Sequence, residues 1–358
     1  MALPPPISVP LPPLPAQDPN TPWPTPVWPS GPVPSGVDLE ALLDEVFDVD
    51  GPCRTTNAVV VIHKGRLIAE RYAGVREFFD RDPEPVDAST PLISWSMAKS
   101  MLQSLLFTYI DEGAFSLEQP LDIAEWNTSG DPRATITLGE LLAMRDGLSF
   151  SEEYDDTKPS DAIAMLFGEG RADMAHYAAS RPLLHAPGTT YSYSSGTTNI
   201  ISGALRRHLG GEVAYRAALQ DRLFGPLHME SALPGFDEAG TFIGSSYVHA
   251  TAQDFARFGL CLLRGGVMDD QQVLSATGIH EARTPRSLDP DGLYYSSQFW
   301  VRGDDYGTFA AQGFEGQSIS MSPALDLVLV RLGRTDAERF MELRDWRFKV
   351  IDAFGAAQ

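Results

Sequence analysis

Ser96 and Lys99 stand three residues apart in the stretch Ser94-Trp95-Ser96-Met97-Ala98-Lys99-Ser100. At helical spacing that separation puts both side chains on one face, within reach of each other. A serine hydroxyl is a poor nucleophile until a neighbouring base takes its proton. Lysine can be that base only when burial, or the positive end of a helix dipole, depresses its pKa. The pair therefore points to attack on an ester or amide carbonyl. The Ser96 backbone amide, at the start of the helix, is free to face the oxyanion that forms. A Ser-x-x-Lys match arises about once by chance in a chain of this length. This chain, however, holds only four lysines, Lys64, Lys99, Lys158 and Lys349, which lowers the weight of coincidence.

A second acid/base candidate is Tyr193, in Tyr191-Ser192-Tyr193-Ser194-Ser195. A phenol can move a proton there if a cation such as Lys99 lowers its pKa. Tyr191 and Tyr193 share a face of an extended segment, so the residues alone leave open that one of them only packs. Rival chemistries lack their residues. No Gly-x-Ser-x-Gly marks a nucleophile elbow, no His-Glu-x-x-His a zinc site, and no glycine-rich loop ending in Lys-Ser/Thr a phosphate cradle. The acidic run Glu152-Glu153-Tyr154-Asp155-Asp156 reads as a solvated loop that could rim a cleft.

The elements that must position these groups follow from pattern. Leu39, Leu42, Leu43 and Val46 recur at helical spacing between Val37 and Phe47, with Ser35 as a cap and Gly51-Pro52 as a stop. Asn57–Ile62 and Arg66–Tyr72 are strand-like around His63-Lys64-Gly65, a hairpin signal. Helices are expected over Met97–Glu112, from the capping box at Thr137-Leu138-Gly139-Glu140 to Arg145, and over Ser160–Phe167 and Ala172–Ser180. Further helices are expected over Thr198–His208, Ala214–Phe224 and Thr251–Leu263. Ser296–Val301, Thr308–Gln312, Gln317–Met321 and Leu327–Leu332 read as strands, and Asp336–Phe354 as a final helix. The simplest assembly is α+β. One antiparallel sheet joins the N-terminal hairpin to the C-terminal strands, terminal helices flank it, and a mainly helical domain is inserted. The expected boundaries are a proline-rich arm at 1–36, a sheet domain from 37–92 and 290–358, and a helical domain at 93–289. The active site would lie in the cleft between the two domains.

Taken together, Ser96-Met97-Ala98-Lys99, Tyr193-Ser194-Ser195 before an apolar helix, and Gly313-Phe314-Glu315-Gly316-Gln317 opening a strand resemble the serine β-lactamase and penicillin-binding protein superfamily. The closer likeness is to its class C-like esterase branch and to the 6-aminohexanoate-dimer hydrolases. Supporting stretches are Arg66–Tyr72, Ile136–Met144, Pro187-Gly188-Thr189 and Ala252–Gly259, and the likeness spans roughly residues 55–335. It implies a β-lactamase-like fold in which Ser96 is acylated and Lys99 is its base. Tyr193 would relay a proton to the leaving group and help activate the deacylating water, and the amides of Ser96 and Phe314 would form the oxyanion hole. Ser195, Gln312, Gly313 and Glu315 would contact substrate.

Two departures bear on substrate. The second motif ends in Ser195 where the family usually has Asn, and Ala311-Gln312-Gly313 replaces Lys-Thr-Gly. No cation at that strand position would grip the carboxylate of a β-lactam, so small esters or linear amides are expected instead. Glu315 could meet an amine-bearing substrate or be an exposed strand-edge carboxylate. Alternatives with the same residues are an acyltransferase, a β-lactamase or D,D-peptidase, and a non-catalytic binding module.

Composition agrees with a cofactor-independent enzyme acting on small molecules. With 27 basic and 48 acidic residues the net charge is −21, which disfavours nucleic acid and anionic lipid as partners. Cys53 and Cys261 are too few for a thiolate metal site or a disulfide framework, and Cys261 reads as core. No apolar run is long enough for a membrane span, and the prolines at Pro4-Pro5-Pro6 are wrong for a signal peptide, so a cytoplasmic location is expected. Residues 1–36 hold 14 of the 28 prolines and cannot form a helix or a central strand. That arm is either a disordered tail or, favoured by Trp23 and Trp28, draped over the surface.

Overall fold

The hairpin at His63-Lys64-Gly65 forms as expected. Lys64 and Gly65 both take positive φ, 52° and 73°, the backbone that a tight two-residue connection requires. In the computed structural model, which describes residues 4–51, 53, 55–76, 82–154 and 158–358, strands β1 (Thr56–His63) and β2 (Arg66–Tyr72) end an eight-stranded sheet. The other six are β3 (Ser287–Leu288), β4 (Tyr294–Tyr295), β5 (Trp300–Val301), β6 (Phe309–Gly313), β7 (Gln317–Ser322) and β8 (Leu327–Gly333). The order is β3-β4-β5-β6-β7-β8-β1-β2, and every neighbouring pair is antiparallel. The fold is thus α+β, with the first and last strands of the chain side by side.

β1 is buried on both faces, which its run Ala58-Val59-Val60-Val61-Ile62 suits. Val59 and Val61 join Leu327 and Leu329 in a core under α1 (Leu39–Phe47) and the C-terminal helix. Ala58, Val60 and Ile62 join Val328, Val330 and Leu332 in the larger core on the opposite face. That core is shared with α2 (Met97–Asp111), α3 (Leu138–Leu142), α4 (Asp161–Phe167), α5 (Met174–Ala179), α6 (Ser195–Leu209), α7 (Glu212–Leu219), α8 (Ala252–Leu263) and α9 (Ala276–Arg283). α8 lies directly on the sheet. A Cβ at its Gly259 would come within 2.7 Å of both Ile319 and Val328, so glycine sets how closely helix and sheet approach. The last helix, α10 (Phe340–Ala356), crosses the other face beside α1.

Several boundaries differ from the sequence reading for local reasons. Asp38, not Ser35, caps α1 by accepting from the Ala41 amide. Pro52, of the expected stop, lies outside the described residues. The Thr137–Glu140 capping box is present, but Met144 at φ 56° ends that helix before Arg145. α6 begins at Ser195 because the Ser194 hydroxyl caps it. Gln298 at φ 61° turns the chain and leaves only Trp300–Val301 of the strand expected from Ser296. α9 and strands β3 and β4 were too short or weakly periodic to read. Both cysteines are free and buried. Among the described residues no helix is long and apolar enough to cross a membrane.

The proline-rich arm lies on the surface. Its prolines remove backbone donors but leave carbonyls, and arginines of the body satisfy them. Arg286 donates to Pro4, Arg283 to Pro12 and Arg264 to Pro15. Arg257 donates to Pro24 at 3.0 Å and to Pro26 at 2.6 Å. Trp28 is buried with Arg257 over its ring, and Trp23 donates to Asp270. Arg257 also pairs with Asp254 at 2.6 Å, both side chains being less than a tenth exposed. Replacing Arg257 with Met takes the cation from that carboxylate, which keeps only its bonds from Ser231, and leaves two arm carbonyls without a donor. The expected loss is about 3 kcal/mol in urea unfolding, with faster proteolysis of the arm. A loss below about 1 kcal/mol with an unchanged cleavage rate would show that the arm is not anchored there.

Candidate active site

Ser96 sits at the cap of α2, where the chain turns sharply out of the short strand Leu92–Ile93. Trp95, just before it, is held at φ 42°, a left-handed conformation unfavourable for a bulky residue. Its ring packs against Tyr247 and Phe314, and its Nε1 donates to Glu315 Oε2 at 2.9 Å. Glu315 is itself at φ 59°, in the turn that follows β6. Arg331, fully buried, donates to the Glu315 carbonyl at 2.9 Å and to Gly316, and the Thr335 amide donates to Glu315 at 3.0 Å. Gly313 brings the end of β6 against the start of α2. A Cβ there would stand 2.4 Å from the Ser94 carbonyl and 3.0 Å from the Ser96 amide nitrogen.

Lys99 lies beneath Ser96 with 1% of its surface exposed. Its Nζ reaches three acceptors, each at 3.0 Å: Ser96 Oγ, Ser195 Oγ and the Ser245 carbonyl. They come from three parts of the chain. Ser195 opens α6, and the Ser245 loop is tied to the same helix through Asn199, which bonds both its amide and its hydroxyl. Burial brings the Lys99 amine down to about 8, against the pull of Glu152, which favours the charged form.

Tyr193 is placed just before α6 by a pinned loop. Arg145 donates to the Gly188 and Thr189 carbonyls, and the Ser192 amide donates to Met144. Its ring stacks on Trp300 at 5.7 Å, meets Tyr295 edge-on, and carries Lys99 Nζ 4.8 Å from its centroid. Ser96 acts on the phenol in the direction that lowers its pKa. The expected lowering of its pKa is reversed. Burial and the Glu152 charge raise it, and Ser96 only partly offsets them, so the group is a protonated donor at neutral pH. Tyr191, the alternative, packs beside Tyr295.

Ser96, Tyr193, Gln312, Gly313, Phe314 and Glu315 all line one cavity of about 450 Å³. Ser195 does not line it. Fully buried, it links Lys99 to Glu152, donating from Oγ to Glu152 Oε1 at 2.8 Å and from its amide to the other carboxylate oxygen. Glu152 belongs to the acidic run read as a solvated loop that could rim a cleft, and its bond from Ser195 is the part that the sequence did not reveal. It lines the cavity and also accepts from the Tyr154 hydroxyl, while Tyr154 stacks on Phe314 at 4.6 Å. Asp155 and Asp156 of that run lie outside the described residues. Only Ser195 in place of the usual Asn hinted at an extra partner, since a hydroxyl that accepts from lysine still has a proton to donate. Glu315 spends its carboxylate on Trp95 and on Arg334, 3.6 Å away, rather than standing free at a strand edge. Among the described residues no group of three or more His, Cys, Asp or Glu is placed to hold a metal ion.

Relatives share this architecture. The 6-aminohexanoate-dimer hydrolase of Paenarthrobacter ureafaciens is 26% identical over 324 residues, covering 85% of this chain and 79% of that protein. A protein of Bacillus anthracis provisionally assigned as a 6-aminohexanoate-dimer hydrolase superposes with a TM-score of 0.73 at 21% identity, over 92% of this chain and 87% of its own. A D-stereospecific amidohydrolase from Streptomyces gives a TM-score of 0.63 at 14% identity, over 85% and 98%. The Beta-lactamase family model matches residues 54–352, nearly the whole body of the molecule, and the chain belongs to that family of serine hydrolases.

Proposed function

We propose that this serine hydrolase cleaves small carboxylic esters or linear amides through an acyl-enzyme on Ser96. The observation that carries the reading is the 3.0 Å contact between Ser96 Oγ and a lysine amine that burial has brought to about 8. At that value a substantial fraction of Lys99 is neutral near physiological pH and can accept the Ser96 proton. As the Oγ–carbon bond forms, the carbonyl oxygen becomes an oxyanion facing the amides of Ser96 and Phe314. Tyr193 gives its phenolic proton to the departing oxygen or nitrogen as the scissile bond breaks, with the Lys99 ammonium over its ring to stabilise the transient phenolate. Lys99 then returns the Ser96 proton to Tyr193. In deacylation a water attacks the acyl carbon and its proton passes to the neutral amine, and Lys99 then hands that proton to Ser96 Oγ as the acyl bond breaks.

Glu152 orients this apparatus without touching the reacting atoms. A serine hydroxyl has one proton. By taking it from Ser195, Glu152 leaves only lone pairs for Lys99 Nζ, which fixes where the amine points. Trp95 and Glu315 do the same for the two oxyanion amides, because each neighbours one of those donors and their side chains are bonded together.

Three outcomes test these roles. With p-nitrophenyl esters and a 6-aminohexanoate dimer, Ser96→Ala loses activity by about three orders of magnitude or more; equal product release by both proteins would end the reading. The acid limb of kcat/KM tracks loss of the Lys99 proton. Glu152→Gln removes a charge that favours the ammonium, so that limb moves to lower pH, by about one unit; an unmoved or raised limb would exclude the linkage. Glu315→Ala lowers kcat about tenfold with little change in KM, and Glu315→Gln, which still accepts from Trp95, restores most of it. An equal loss in both variants would contradict a positioning role through Trp95.

A further inference from the structure

Two buried polar groups between the sheet and α10 have no partner among the described residues. Arg347, on α10, is 2% exposed, and its Nε makes no hydrogen bond. Ser318, on β7, is fully buried, and its hydroxyl makes none either. Ser318 stands opposite Gln312 across the β6–β7 ladder, so the two side chains share a face, and Ser320, two residues on, shares it too. That face is the one α10 covers, because Arg347 donates from Nη2 to Gln312 Oε1 at 3.0 Å. A guanidinium can only donate, so what this layer lacks is an acceptor.

The layer also lacks negative charge. Burial, with the nearby Arg344 charge, holds the Arg347 group down to about 10, so it is still a cation at neutral pH. The group that opposes this shift is the Cys53 thiol, whose own proton burial holds firmly; no carboxylate acts on Arg347. A buried charge without a counter-charge is costly. Beside it lies a cavity of about 10 Å³, lined by Arg347, Gln312, Ser320, Thr308 and a second guanidinium, Arg302. Arg302 is already balanced by Asp304 at 3.1 Å and Asp352 at 2.8 Å, and Thr308 gives its hydroxyl proton to Asp304. The surplus positive charge is therefore that of Arg347. The volume admits one water-sized guest and no polyatomic anion.

We propose that this cavity, behind Gln312, binds a single halide ion, chloride in solution, against Arg347 and the Ser320 hydroxyl. The ion gives the buried guanidinium its counter-charge and the unpartnered Nε an acceptor. With Arg347 held in this way, its Nη2 stays on the Gln312 oxygen, and the NH2 end of that amide is left to the reaction cavity, which Gln312 also lines. A water molecule fits the same space but leaves the charge unbalanced.

Diffraction from crystals of the full chain soaked in sodium bromide, recorded at the bromine absorption edge, tests the site directly. An anomalous peak in contact with Arg347 Nε and Ser320 Oγ is the expected result, and water density without such a peak would overturn the proposal. In solution, chloride-free protein is unfolded by heat in about 0.2 M sodium chloride and in sodium gluconate of equal ionic strength, and chloride should raise the wild-type Tm by about 2 °C. Ser320→Ala should keep part of that shift and Arg347→Met should lose it. Equal wild-type Tm in the two salts, or a shift as large in Arg347→Met, would overturn the site. The bromide result decides on the wild type alone if Arg347→Met does not fold. Neither readout uses turnover, so the hydrolase reading stands or falls separately.

Discussion

An amine with one percent of its surface exposed has no water to fall back on, and the site is organised around that deficit. Lys99 must find its acceptors in the protein, and it finds them on α2, on the first residue of α6 and in the loop before α8. Holding three distant stretches to within 3.0 Å of one nitrogen is a packing achievement of the helical body, which is why so many of the surrounding residues are apolar and buried. The same burial makes the lysine chemically useful. Its charge is expensive there, so its proton is held more weakly than that of a surface lysine, as the proposed exchange with Ser96 requires.

Glu152 counterbalances that effect. A carboxylate bonded through Ser195 keeps the amine from becoming too poor a proton acceptor, while burial keeps it from becoming an ordinary surface lysine. Tyr193 holds its proton more firmly than a free phenol first because it is buried, and second because it lies near the same carboxylate. Two groups near one negative charge are both pushed toward their protonated forms.

Arginines recur as donors to main-chain carbonyls outside the helices and strands. The proline-rich arm presents carbonyls that no neighbouring amide can serve, and Arg257, Arg264, Arg283 and Arg286 serve them. The strained turn at Glu315 presents its carbonyl to Arg331. With five donors in a fixed plane, each guanidinium can satisfy several such groups at once. The arm is accordingly part of the folded surface, despite a composition that would suit a tail.

The sequence by itself determined the α+β order of elements, the hairpin, the capping box at Thr137–Glu140 and the Ser96–Lys99 pair, because all of these depend on residues within a few positions of one another. Helical spacing alone places Lys99 under Ser96. Tyr193 and the Gly313-Phe314 turn were legible only through their likeness to a family, since nothing local says what a tyrosine faces. The tertiary structure decided the rest. It moved Ser195 from substrate contact to a buried link, brought Glu152 out of an apparently solvated run, and turned Glu315 inward to Trp95. Each of these depends on which side chains meet across more than forty residues of sequence. Charge runs and exposed-looking loops carry no periodicity that reports such meetings; packing and the need to satisfy every buried polar group determine them.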